Sequence, residues 1–151
     1  MSKQEVLLIA CGALANEVNA VLSASQLTNI NVEYLSASLH NRPEKLAPTL
    51  RTRVERGLDQ GKNVFLGYAD CGSGGAIDTL CEEYSIERLP GAHCYEFFLQ
   101  PGVFREIHAV NPGTFFLTDY LARHFDRLVL EGLGIIEHPE LFEMYFGNYS
   151  K

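Results

Sequence analysis

The chain has 151 residues, 46% of them hydrophobic and 21% charged, the proportions of one ordinary folded domain rather than of a disordered segment. Its 12 Lys and Arg stand against 19 Asp and Glu, a formal net charge of −7. That balance argues against nucleic-acid partners and against an anionic membrane surface, both of which are recognised mainly through cationic side chains. The apolar run at residues 6–10 is too short for a membrane span or a secretory leader, so a soluble, cytoplasmic protein is expected.

Residues 5–10 (E-V-L-L-I-A) read as a buried strand that runs into Cys11 and Gly12. Helical spacing follows over 13–25, with Leu14, Val18, Val21 and Leu22 on one side. Residues 31–35 are β-branched and aromatic and predict a second strand. Pro43 suits the first turn of the next helix, where Leu46, Leu50, Val54 and Leu58 recur every four residues up to Gly61. Pro48 argues for a later start to that helix. Residues 63–68 (N-V-F-L-G-Y) predict a third strand, followed by Asp70-Cys71 and a glycine loop; 76–84 read as a helix and 86–89 as a short fourth strand.

Beyond Pro90-Gly91 aromatic residues crowd the chain, and Phe116, Leu117, Tyr120, Leu121, Phe125 and Leu128 can share one helical face. Residues 111–114 (N-P-G-T) read as a turn with an N-cap, and 139–149 as a last short helix. Strands alternating with helices at this spacing predict one α/β domain: a three-layer sandwich around a small, mostly parallel, Rossmann-like sheet, with a helical C-terminal part.

In such a sheet, ligands bind beyond the carboxyl ends of the strands. There the loops carry Cys11 after the first strand, His40 after the second, Asp70 and Cys71 after the third, and His93, Cys94 and Glu96 after the fourth. Thiolates with imidazole suit a borderline or soft metal, zinc or iron first, rather than magnesium or calcium. Cys11, Cys71, Cys94 and His40 are the candidate ligands. His93 points away from Cys94 in extended backbone and is a candidate proton handler, with Glu96 close enough to line the same cleft. No C-x-x-C pair exists, so the argument rests on loop position. Buried packing is the competing reading for each cysteine, and Cys81, mid-helix, is assigned to it. A metal-free redox pair of Cys11 and Cys71 is a further alternative.

The loop Gly72-Ser73-Gly74-Gly75 opens a helix, where amides can cradle a phosphate or carboxylate of a cofactor. It matches neither dinucleotide nor P-loop spacing, and a turn needing positive φ accounts for the glycines without a ligand. The tail residues Phe142, Met144, Tyr145, Phe146 and Tyr149 suit a homodimer contact.

On the blocks A-C-G-A-L (10–14), L-H-N-R-P-E-K-L (39–46), Y-A-D-C-G-S-G-G (68–75) and L-P-G-A-H-C-Y-E (89–96), the chain resembles the domain of unknown function 1638 family. P-G-T-F-F-L-T-D (112–119) and H-P-E-L-F-E-M-Y-F (138–146) extend the likeness. The five residues Cys11, His40, Cys71, His93 and Cys94 fall inside these blocks and Cys81 does not. The resemblance implies an association with corrinoid-dependent methyl-transfer proteins, and a further strand and helix after Asn148-Tyr149. The expectation is therefore a metal-binding protein acting on a small-molecule substrate or cofactor; the alternatives are a non-catalytic metal or cofactor carrier and the metal-free thiol enzyme.

Overall fold

The computed structural model describes residues 4–150. The chain divides into two compact units, Met1–Cys94 and Tyr95–Lys151.

The first unit is an all-parallel α/β sheet. Strand β1 (Val6–Cys11) leads through a 3-10 turn into α1 (Ala15–Ala24), then to β2 (Ile30–Leu35). A second 3-10 turn, Ala37–Asn41, enters α2 (Pro43–Asp59), which returns to β3 (Asn63–Gly67); α3 (Ala76–Tyr84) connects to β4 (Glu87–Arg88). The strand order is β2-β1-β3-β4, so the chain moves outward from β1 to β2 and then crosses to the other side of β1. All three pairings are parallel, which confirms the expected α/β fold class.

Alternation along the strands sorts side chains onto two faces. Leu7 and Ile9 of β1, Leu35 of β2 and Val64 and Leu66 of β3 join Leu46, Leu50 and Val54 of α2 and Ile77, Leu80 and Cys81 of α3 in one buried cluster. The apolar repeat at every fourth residue of α2 is thus its inward face. Glu33, on the same side as Leu35, pairs with Arg53 and Arg56 of α2. Tyr34 faces the other way, where its hydroxyl donates to Asn19 of α1 at 2.8 Å. The layers therefore follow directly from strand parity.

Two expectations about helices need correction. Pro48 lies inside α2 rather than before it. The helix starts at Pro43 because that residue fits the first turn, and the missing Pro48 amide is tolerated for the sake of the buried stripe on either side of it. The apolar side predicted for the first helix is only shallowly covered: Leu14 is buried in the 3-10 turn before α1, Val18 and Leu22 are half-buried, and Val21 is 60% exposed. Its partner β2 is an edge strand and offers a narrow surface.

The second unit is helical: α4 (Val103–Val110), α5 (Asp119–Arg123), a π-helical turn at Asp126–Glu131, and α6 (Leu141–Phe146). Phe116 and Leu117 precede α5 instead of belonging to it, because the Thr118 side chain accepts from the Leu121 amide and fixes the helix start. Thr114, within the N-P-G-T turn, donates to the Asn111 carbonyl rather than capping a helix. Its aromatic residues pack on one another, with Phe104 and Phe116 ring centres 4.9 Å apart and Phe115 and Phe146 5.3 Å apart. Phe142, Met144, Tyr145 and Tyr149 keep between 40% and 63% of their surface. No helix among the described residues is long and apolar enough to cross a membrane.

A candidate thiol centre at the strand switch point

With the order β2-β1-β3-β4, consecutive connections leave β1 and β3 in opposite directions, and the gap beyond their carboxyl ends is where such sheets accommodate ligands. Cys11 is the last residue of β1. The register pairs Ala10 with Gly67, so one step further brings Cys11 beside Tyr68. Gly12 lets the chain turn away at once: a Cβ there would lie 2.9 Å from the Leu35 carbonyl oxygen, too close for any side chain.

The β3 and β4 pairing continues past both strands. Leu89 donates to the Leu66 carbonyl at 3.0 Å, Asp70 to the Gly91 carbonyl at 3.1 Å and Cys71 to the Ala92 carbonyl at 2.8 Å. Arg88 holds the returning segment through the Leu89 carbonyl and the Asp78 carboxylate. Zipped together in this way, the two loops bring Cys71 Sγ and Cys94 Sγ to 2.9 Å. Cys71 takes a left-handed backbone conformation, φ 51°, an uncommon state for a residue with a side chain.

The three sulfurs influence one another. Burial pushes the Cys11 thiol up to about 11, opposed in part by the Ala13 amide and reinforced by Cys94. Cys71 is pushed far up, first by its hydrogen bond to Cys94 and then by burial. Cys94 is correspondingly lowered by the same hydrogen bond, against burial and with help from the Ala69 amide. The pair thus shares a proton, with Cys94 the sulfur that ionises first. Among the described residues, no cation stands among the causes that shift the three thiols. All three thiols remain partly accessible, whereas Cys81 is buried in the core, as its mid-helix position predicts.

His40 stands in the 3-10 turn before α2, and its imidazole is held below the ordinary value by burial and by neighbouring His93. Glu96 lies in the second unit, in the turn Cys94–Phe98. In the glycine loop, Gly72, Gly74 and Gly75 all have positive φ, so the turn requirement is real. The Gly74 and Gly75 amides donate to the Asp70 carboxylate at 3.2 and 2.8 Å, and the Ser73 hydroxyl adds a third bond at 2.8 Å. The protein's own carboxylate occupies the nest of donors that an exogenous anion would use.

Sequence reasoning missed Tyr68. It follows β3 directly, is 3% exposed, and has the one buried side-chain oxygen or nitrogen lacking a hydrogen bond among the described residues. The Cys11 thiol touches it without completing a hydrogen bond of good geometry. The available signal was a tyrosine at the end of an apolar strand, three residues before Cys71.

The family described as Protein of unknown function (DUF1638) matches residues 34–151. The chain belongs to the DUF1638 family. The match takes in His40, Tyr68, Cys71, His93, Cys94 and Glu96, while Cys11 precedes it. No curated protein matches this DUF1638 chain.

Among the described residues, no three His, Cys, Asp or Glu side chains form a ready-made coordination group. The donor chemistry nevertheless suits a soft cation. Two thiolates on one zinc at about 2.3 Å stand about 3.8 Å apart, so Cys71 and Cys94 would separate by about 0.9 Å from their 2.9 Å contact, within the reach of side-chain rotation. A divalent ion would also supply the positive charge that the three half-buried thiols lack.

Proposed function

We propose that this DUF1638 protein holds a transition-metal ion, zinc or iron, through Cys11, Cys71 and Cys94, with His40 as a fourth ligand or an orienting group. The observation that carries this reading is the 2.9 Å approach of Cys71 Sγ to Cys94 Sγ at the carboxyl edge of a parallel sheet, with no cation among the described residues shifting either sulfur. Three sulfur donors and one exchangeable position are the ligand pattern of a site that acts on a small molecule. In the methyl-transfer setting that the family resemblance implies, a bound ion would lower the pKa of a substrate thiol or water and make it nucleophilic. His93, the neighbour of His40, is the group proposed to take the proton.

The test is elemental analysis of protein purified anaerobically without chelator, wild type beside Cys71→Ser. About one equivalent of metal in the wild type and a clear loss in the variant are expected; a metal-free wild type that also refuses added zinc or iron overturns the reading.

A second reading, metal-free thiol redox chemistry, is favoured by the same contact. Its pair is Cys71 with Cys94 rather than Cys11 with Cys71, because the loops after β3 and β4 are the ones zipped together. Reversible loss of two free thiols in a metal-free, active protein would favour it.

A further inference from the structure

Tyr68 carries a hydroxyl that the fold does not use. Its ring belongs to the core cluster with Leu66, Ile77 and Leu80, a role phenylalanine would fill equally well. The hydroxyl is buried without a hydrogen bond, which costs stability because the water it lost has not been replaced. Groups of this kind persist where a partner arrives with function.

What faces the hydroxyl narrows the identity of that partner. The β1–β3 register sets Tyr68 beside Cys11. Strand alternation puts both on one side of the sheet: Ile9 and Cys11 of β1, with Leu66 and Tyr68 at the end of β3, all belong to or pack against the same buried cluster. A neutral thiol is a weak hydrogen-bond acceptor. A thiolate sulfur is a strong one. We propose that the Tyr68 hydroxyl is a donor reserved for Cys11 Sγ, holding that sulfur in position once a soft divalent cation has displaced its proton. The assignment rests on the metal reading above and deepens it: Tyr68 is a positioning residue that touches the ligand sulfur rather than the ion. Donors of this kind behind metal ligands commonly change affinity by ten- to a hundredfold.

The experiment loads cobalt(II) into anaerobic, reduced wild type and Tyr68→Phe, reading sulfur-to-cobalt charge-transfer absorption and affinity by competition with a chelator. The metal-free thermal midpoint of each is measured alongside. Loss of the donor is expected to move the charge-transfer band to longer wavelength and to weaken cobalt binding about tenfold, with the metal-free midpoint unchanged or raised. A variant that binds cobalt with the wild-type band and affinity overturns the role of Tyr68 while leaving the metal site standing. So does a variant whose metal-free midpoint falls in step with its cobalt affinity at an unshifted band, since that marks a packing role. A wild type that shows no charge-transfer band overturns both the metal reading and this assignment.

Discussion

Cys71 Sγ and Cys94 Sγ touch at 2.9 Å across 23 residues of chain, and the backbone bonds from Asp70 to Gly91 and from Cys71 to Ala92 make that contact a consequence of sheet pairing. Mild oxidation of metal-free protein should therefore remove two free thiols and cross-link this pair. Peptide mapping under non-reducing conditions is expected to find Cys71 joined to Cys94, reversed by dithiothreitol and absent in Cys94→Ser. Cys81, buried in the core, should stay unmodified in the folded protein. A cross-link from Cys11 instead would contradict the arrangement.

Metal uptake should strengthen as pH rises. The free-state thiols of Cys11, at about 11, and Cys71, higher still, are protonated at neutral pH, and coordination needs their thiolates. Coordination by Cys11 and Cys71 alone releases about two protons for each bound ion, so apparent affinity climbs by about a hundredfold or more per pH unit through the neutral range. His40, held low by burial and His93, gives up its proton more readily than an ordinary imidazole. Chelator competition between pH 6 and pH 8, about a unit either side of neutrality, measures the slope; a flat profile would exclude thiol ligation.

Asp70 stabilises the loop that carries Cys71. Burial alone would raise its carboxyl, but the Ser73 hydroxyl and the Gly75 and Gly74 amides, with Arg88, outweigh burial and hold it below the ordinary value. A depressed folded value contributes stability above the unfolded pKa of about 4, and the contribution disappears as pH falls through the folded value. Asp70→Ala is expected to cost about 1–2 kcal/mol at pH 7, by the loss of charge-assisted bonds to the loop, and much less in strong acid. Urea unfolding of both proteins at the two pH values checks this.

Gly12→Ala should destabilise the protein by about 1–3 kcal/mol, because the new methyl meets a backbone carbonyl oxygen that cannot rotate away. The clash, 2.9 Å from Leu35 O, would push apart β1 and the segment after β2, and so shift Cys11. A lower thermal midpoint together with weaker cobalt binding is expected, whereas Gly61→Ala, strained locally by its φ of 72° but with open space around it, should lower the midpoint and leave cobalt binding unchanged.

Much of this architecture was legible in one dimension. The run V-L-L-I-A, the apolar residues Leu46, Leu50 and Val54, and the alternation of short apolar strands with helices specify a parallel sheet because burying those faces permits little else. The position of Cys11, Cys71 and Cys94 at or after the ends of the first, third and fourth strands followed from the same periodicity. The helical tail was read less well: Phe116 looked helical by spacing, yet a single hydroxyl on Thr118 decides where α5 begins.

What the linear chain could not decide was distance. Spacing placed three thiols on one edge, but which two would meet depended on hydrogen bonds formed beyond the ends of β3 and β4, between segments too irregular to carry a pattern. It likewise hid Tyr68, whose importance lies in a missing partner. Periodicity records which way a side chain faces relative to the core; whether a buried hydroxyl finds an acceptor is settled only when the strands from distant parts of the chain are laid side by side.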